Sequence, residues 1–384
     1  MPRGKVTSSS YTPRLFEIDL RRSVEVKLFG TLHVATSGVN AWSLRELAGR
    51  LGVNVYSADP RPLYPVPQAN GTRCEWLAFT EERSMKSAYR EKPTADFQPR
   101  SFPAELFDDK FAFLQWVDGL FGSGSSVPHT ELAKAGGPGF PCMVKARCSW
   151  HGAEKMPRGW RCENADDMER ARARIRSGGW DESLFHLERW MPHEKARLLS
   201  VCGYFDHARA QRNLVAVTES VVRYHSGPSC SPVVRVVADE WSLVDKTKAI
   251  LGGLKFEGPF ELEFIVHEGR AYVLELNPRF WMQHALFLHA SNGVVKRYLR
   301  VDGPADWNTR LPLGTTWVDG AWLWKAFFTL QWAALLDLLR RRWLAGDCLS
   351  CWPGAVLGLQ IFFKSHWRAG VARLRGDPSI TATA

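Results

Sequence analysis

Long hydrophobic runs, a cysteine framework and the common nucleotide and hydrolase motifs are all missing from this chain. Its most apolar zone, residues 317–363, is broken by Asp319, Lys325, Gln331, Asp337, the arginines at 340–342, Asp347 and Gln360. No piece of it reaches the ~18 apolar residues that a membrane span needs. The first ten residues hold no apolar core, so a secretory signal is not expected. Eight cysteines are scattered, and only Cys348 and Cys351 form a close pair. Without a second pair or two histidines beside them, a zinc site is not expected there. Reduced thiols and a cytoplasmic location are the expectation. No internal repeat, GxGxxG, Walker A pattern or GxSxG elbow occurs, which removes the dinucleotide, P-loop and serine-hydrolase readings.

What is present fits a folded protein. The chain has 384 residues, enough for two or three domains, with 45% hydrophobic and 23% charged residues. The net charge is +10, and 17 tryptophans are unusually many. Basic residues interleaved with aromatics can bind single strands. Here the charge is spread along the chain rather than blocked, so a solvated surface is expected and nucleic acid is not an expected partner.

The most informative stretch is 260–279. Acidic and apolar side chains alternate from Glu261 to Val266, residues 267–270 turn, and alternation resumes from Ala271 to Leu276. This predicts two strands joined by a tight turn. Residues two apart share a strand face, so Glu261 lies with Glu263 and Glu275 with Asn277. Pairing the strands would bring Glu263, Glu275 and Asn277 together. Such oxygen donors suit Mg²⁺ when phosphate oxygens and water complete its shell. An ordinary hairpin with solvated acids is the competing reading. Against it, the second strand lines up a carboxylate, an amide and an arginine, which are poor strand formers. Pro278 also ends the ladder directly after Asn277.

This segment resembles the metal-binding end of the ATP-grasp superfamily, which carries an acid or amide on one strand and Glu-x-Asn-Pro-Arg on the next. The order of elements extends the resemblance over roughly residues 105–300. Before it, a strand at 24–30, a helix at 41–51 and a strand at 53–59 are readable, while 60–104 resists assignment. A helix then starts near Leu106, with Asp108 or Asp109 as its cap, and runs through Val117. A strand at 140–146, a capped helix at 164–176, strands at 185–191, 198–205 and 213–222, and a helix at 239–251 lead to the hairpin.

The resemblance implies an α+β chain. The ATP-grasp fold would occupy 105–310, with a small lid subdomain at about 139–206 closing over a larger sheet and ATP between them. Residues 1–104 would hold a reduced N-terminal α/β domain of the Rossmann-like, pre-ATP-grasp kind. Residues 311–384 would form a helical C-terminal extension.

Individual residues follow. Lys145 stands in an apolar strand and must face water or an anion, because burying it unpaired is costly. The resemblance makes Lys145 and Lys110 the nucleotide lysines, and Ser149 and Gly152 backbone donors in a phosphate-covering loop. It makes 185–191 the hinge that reads adenine. There Glu188 would face the exocyclic amine, and the backbone of Arg189, Trp190 and Met191 would meet the ring edge. Trp190 is expected in the core in any case. Glu194 is the candidate for the ribose hydroxyls. Arg223 either binds the acyl phosphate or substrate carboxylate or is a solvated strand arginine. Arg279 would stabilise charge on the transferred phosphoryl oxygens.

The implied activity is an ATP-dependent carboxylate–amine ligase working through an acyl phosphate. ATP and Mg²⁺, with Mn²⁺ as an alternative, are the implied cofactors, and small carboxylates and amines the substrates. Phosphoryl transfer needs positioning and charge neutralisation more than covalent help, which these residues supply. Two other readings stay open. One is a catalytically decayed member of the fold that binds nucleotide. The other is a basic surface-binding module, touching an anionic membrane through 335–344, where apolar residues take one helix face and arginines another. A helical cap on the core is the plainer account of that segment.

Overall fold

The computed structural model describes residues 30–34, 39–57, 75–80, 82–91, 95–99, 102–103, 106, 108–134, 137–152, 154–192, 195–222, 233–318, 332–333 and 336. The first elements are β1 (Gly30–Val34), α1 (Val39–Gly49), β2 (Val53–Ser57), β3 (Trp76–Ala78) and α2 (Glu82–Glu91). Next come α3 (Lys110–Phe121), β4 (His129–Glu131), β5 (Cys142–Ala146), β6 (Trp150–His151), β7 (Glu154–Lys155), β8 (Trp160–Cys162), α4 (Ala165–Ser177) and β9 (Phe185–Arg189). The remainder is β10 (Ala196–Asp206), β11 (Leu214–Val222), β12 (Val233–Val237), α5 (Leu243–Gly253), β13 (Glu257–His267), β14 (Arg270–Asn277), α6 (Gly293–Tyr298), α7 (Pro304–Trp307) and β15 (Thr316–Val318).

Among the described residues the large sheet has the order β14-β13-β10-β11-β12-β15 and is antiparallel throughout. A four-stranded antiparallel lid sheet runs β4-β9-β5-β8, with the β6–β7 ribbon beside it in sequence. The N-terminal sheet, β2-β1-β3, is parallel.

Alternation sets the faces of the large sheet. One face carries Leu199, Val201, Leu262 and Phe264, which pack with Phe113 and Val117 of α3 and Leu243, Ile250 and Leu251 of α5. Each such side chain contributes roughly 1.5–3 kcal/mol by leaving water. Toward one end of the opposite face, Cys202, Tyr204, Ala216 and Val236 pack with Leu44, Trp281 and Phe287. The rest of that face, with Ser200, Thr218, Glu261 and Glu263, stays open to a cleft. Helix α3 starts where it does because Asp109, in extended backbone, accepts the Ala112 N–H at 3.0 Å. Asp109 rather than Asp108 is therefore the cap; Asp108 adopts a left-handed φ of 59°.

Several expectations change. Of the strand expected over 24–30 only Gly30 is described, as the first residue of β1, and 24–29 lie outside the described residues. The unassigned stretch supplies β3 and α2, whose Met85 and Ala88 are buried one turn apart. Residues 196–206, expected within the small subdomain, belong to the large sheet instead, because β10 pairs along β13 from Ala196 to Asp206. The segment after 310 begins with a strand rather than a helix. Thr316–Val318 are β-branched and aromatic, and they pair with β12. Of the rest of the expected C-terminal extension, residues 332, 333 and 336 are helical, and 319–331, 334–335 and 337–384 lie outside the described residues. No helix among the described residues is long and apolar enough to cross a membrane.

Candidate active site

A cleft of about 550 Å³ is lined by the large sheet, the lid sheet, α2 and the start of α3. Its floor is the β13–β14 hairpin. Glu263 stands directly opposite Glu275 and Glu261 opposite Asn277, with an irregularity in register just after Glu263. The Asn277 amide donates to Glu261 Oε2 at 3.2 Å and to Glu263 Oε1 at 3.3 Å. Lys110, the first residue of α3, brings Nζ to 2.6 Å from Glu275 Oε2.

The electrostatics of this floor are unusual. Burial pushes the Glu263 carboxyl well above the usual range, and the charges of Glu275 and Glu261 push the same way. Burial also raises Glu261, to about 7, against the pull of Arg279. Burial opposes the charge of Glu275 too, but Lys110 and Lys145 outweigh it and hold that carboxyl below its ordinary value. Oxygen donors crowded at this cost fit a hard divalent cation, which would relieve the repulsion. Among the described residues no three acids, imidazoles or thiolates already close on one point.

Arg279 crosses to the N-terminal segment. Its Nε donates to Glu82 Oε1 on α2 at 2.6 Å, Nη1 to the Phe280 carbonyl at 3.1 Å and Nη2 to Asn277 Oδ1 at 3.3 Å. Burial disfavours its charge, but Glu82 more than compensates and raises its pKa.

On the lid side, Lys145 Nζ lies 2.5 Å from Glu188 Oε2, and His186 Nε2 lies 2.8 Å from Glu188 Oε1. Glu188 is 3% exposed and His186 fully buried. Burial works against the Glu188 charge, yet Lys145 and His186 draw its pKa down to about 2. Burial also keeps His186 below its ordinary value, against the pull of Glu188. Each Glu188 carboxylate oxygen thus has a partner within this sheet, while Glu188 still lines the cleft. The cause is register: Lys145 pairs with His186 across β5 and β9, two residues from Glu188.

The hinge after Glu188 lines the cleft. The Arg189 N–H donates to the Pro128 carbonyl at 2.8 Å and the Trp190 N–H to the Pro141 carbonyl at 3.0 Å. Contact with a ring edge would fall to Met191, which is buried, and to the hinge carbonyls. Trp190 is half-buried rather than core, with the Arg161 guanidinium 4.6 Å from its ring centre.

The loop after Lys145 is pinned. The Ser149 N–H donates to Asp108 Oδ1 at 3.0 Å, while Lys86 Nζ pairs with Asp108 Oδ2 at 3.1 Å. Arg147 grips Asp109 through Nε at 3.2 Å and Nη2 at 2.7 Å. The Ser149 donor expected for phosphate is therefore engaged. Gly152 lies outside the cleft lining; its φ of 58° and exposed position make the turn between β6 and β7. Glu194 and Arg223 lie outside the described residues.

Sequence reasoning missed Glu82 and Glu261 as cleft residues. Glu82 sits in the stretch that resisted assignment, and the three-residue spacing of Met85 and Ala88, both buried in α2, is the signal that could have marked a helix there. Glu261 was visible in the alternation, but only pairing shows it opposite Asn277.

No protein-family model and no curated protein sequence matches this chain. Solved structures do. A biotin carboxylase–βγ-ATP complex from Campylobacter jejuni aligns over 73% of this chain and 73% of its own, with a TM-score of 0.55 and 15% identity. N5-carboxyaminoimidazole synthetase from Staphylococcus aureus, complexed with ADP, covers 76% and 82%, with a TM-score of 0.55 and 16% identity. N5-carboxyaminoimidazole ribonucleotide synthetase from Thermus thermophilus covers 74% and 79%, with a TM-score of 0.52 and 17% identity. At such identities the likeness is one of fold.

Proposed function

This chain has the ATP-grasp fold, and from that premise we propose that it is an ATP-dependent ligase joining a carboxylate to an amine. The observation that carries the reading is the meeting of Lys110, Lys145, Glu263, Glu275, Asn277 and Arg279 in one cleft. Structures sharing the fold were solved with ADP or a βγ-ATP ligand.

In this reading adenine lies against Met191 and the hinge carbonyls, the ribose meets Glu194, and Lys110 and Lys145 face the phosphates. Lys110 exchanges Glu275 for a phosphate oxygen when nucleotide enters. Ser149 leaves Asp108 to cover the phosphates. Glu263, Glu275 and Asn277 are the residues that would hold Mg²⁺ or Mn²⁺, which would supply neutralisation of phosphate charge. Arg279, held in place by Glu82, faces the transferred phosphoryl oxygens. The substrate carboxylate attacks the γ-phosphorus, forming an acyl phosphate as the bond to ADP breaks. Arg223 is assigned to the carboxylate or its acyl phosphate. An amine then attacks the acyl carbon, and phosphate leaves. We read β1–β3 with α1 and α2 as the reduced pre-ATP-grasp unit, and place the protein in the cytoplasm, in keeping with the free thiols of Cys142, Cys148, Cys162 and Cys202.

The test is ADP release with Mg²⁺ over a panel of carboxylates and amines. Glu275→Gln is expected to lower the rate at least about 100-fold. Undiminished ADP formation in that variant sinks the reading. ATP binding without turnover across the whole panel would instead mark a decayed member of the fold.

A further inference from the structure

We propose that Cys142 and Cys162 form a redox-modification site in the lid sheet, a thiol pair that closes into a reversible disulfide when it meets a low-molecular-weight disulfide. The inference goes beyond the ligase reading and does not depend on it.

Strand register builds the pair. Cys142 on β5 stands directly opposite Cys162 on β8 in an antiparallel ladder, so both side chains leave the same face of the lid sheet. Directly opposed residues hold their Cβ atoms about 4.5–5.5 Å apart, and a disulfide takes about 3.5–4.5 Å. A small approach of the strands therefore suffices. Each thiol already lies within hydrogen-bonding reach of the other. The two strand segments also run close at the next turn, where a Cβ added at Gly159 would strike the Val144 carbonyl oxygen. No other two described cysteines are opposed in this way. Cys202 stands opposite Ala216 and Glu261, and Cys148 lies in the loop after β5.

Burial decides when the pair reacts. Both thiols are enclosed with Val144, Ala171, Ile175 and Phe185. That burial pushes the Cys142 thiol up to about 11 and raises Cys162 as well. The thiolate is the reactive species, so the closed lid protects both. The weak point is β8. It has three residues, pairs with β5 alone, and is the outer strand of its sheet among the described residues. Lifting such an edge costs far less than global unfolding, and it wets both thiols together. One cysteine thiolate then attacks the small disulfide, forming a mixed disulfide and releasing one small thiolate. The second cysteine attacks the protein sulfur of that mixed disulfide and expels the other small thiolate. Two protein thiols are oxidised and one small disulfide is reduced to two thiols. The new bond closes a ring over 142–162, which carries Lys145, Arg147, Ser149 and the β6–β7 ribbon. Those residues lose freedom to swing away from the cleft.

The experiment incubates the full chain with oxidised glutathione, unfolds it in excess iodoacetamide and digests it without reduction. A peptide pair joined through Cys142 and Cys162 is expected, lighter by about 2 Da than the two reduced peptides together. Alkylation of both cysteines should fall about tenfold, while that of Cys202 changes less than about twofold. Dithiothreitol should restore it. Hydrogen exchange over 143–161 should slow about tenfold in the oxidised chain, and unchanged exchange overturns the tethering of the loop. Undiminished alkylation of either cysteine, glutathione held on one of them without the cross-link, or linkage to a different cysteine overturns the proposal. An equal loss at Cys202 means that the chain reacts only after unfolding, and overturns it too. Cys162→Ala is expected to abolish the linked peptide and leave Cys142 unlinked. Should that variant not fold, the peptide map of the native chain decides.

Discussion

Arg279 and Glu82 stand 197 residues apart in sequence, yet their side chains meet at 2.6 Å and tie the end of β14 to the first turn of α2. Both are mostly buried, at 17% and 11% side-chain exposure. The contact makes the first turn of α2 part of the cleft wall beside the hairpin. Glu82→Gln leaves a buried guanidinium without its counter-charge, at a cost of about 3 kcal/mol, readable as a lowered urea midpoint. In the ligase assay kcat is expected to drop roughly 10- to 100-fold as Arg279 loses its aim. KM for MgATP should change less than about threefold, and Glu82→Asp should recover part of the loss. A raised KM for MgATP with kcat intact would show that the pair serves nucleotide binding instead.

The lid loop offers a test that needs no substrate. Asp108 holds the Ser149 N–H and pairs with Lys86. Asparagine tolerates the left-handed φ of this position, so Asp108→Asn isolates the loss of charge. A hydrogen bond to a charged acceptor contributes about 1.5–3 kcal/mol. Amide exchange around Ser149 is therefore expected to speed roughly 10- to 100-fold in the nucleotide-free chain. Unchanged protection, read by hydrogen–deuterium exchange, would mean that the loop is held by other contacts.

Glu188 sets an acid limit on the lid. Burial opposes its charge, but Lys145 and His186 win and draw its pKa from 4.5 to about 2. A carboxyl depressed in the folded state binds its proton more readily when unfolded. Its contribution is full above about pH 4.5 and is lost as pH falls toward about 2. The amount is on the order of 3 kcal/mol. Denaturant unfolding between pH 6 and pH 3 should show this decline in the native chain. In Glu188→Gln that part of the slope should be missing; an unaltered slope refutes the assignment.

Gly159 adopts a φ of 142°, and an added Cβ would run into the Val144 carbonyl oxygen across the lid sheet. Gly159→Ala should therefore cost about 2 kcal/mol or more, through a backbone conformation that other residues avoid and a clash that backbone atoms cannot relieve. Thermal unfolding measures it. Gly152→Ala meets open space and pays only for its φ of 58°. It should cost less, and the reverse order would contradict the geometry.

Local sequence determined a good part of this molecule. The 3.3 Å rise and two-residue period of a strand are properties of the backbone itself, so alternation from Glu261 to Leu276 was enough to predict the hairpin. It also put Glu263, Glu275 and Asn277 within reach of one another. Capping is equally local: Asn164 accepts the Asp167 N–H at 3.0 Å, as the side-chain pattern at the start of α4 predicts. Lys145 in an apolar strand was expected to face water or an anion. Partner choice was not legible, because a lysine or arginine several ångströms long can satisfy any acid that folding delivers. Only the tertiary structure decided that Lys110 meets Glu275, that Lys145 meets Glu188, and that Arg279 reaches back to Glu82. It also decided that Asp108 takes the Ser149 N–H, that Thr316–Val318 joins the edge of the large sheet, and that Glu261 comes to lie opposite Asn277. Those outcomes depend on contacts between segments far apart in the chain. Their energies come from burial and from which opposite charge lies nearest, and neither is written in any short stretch of residues.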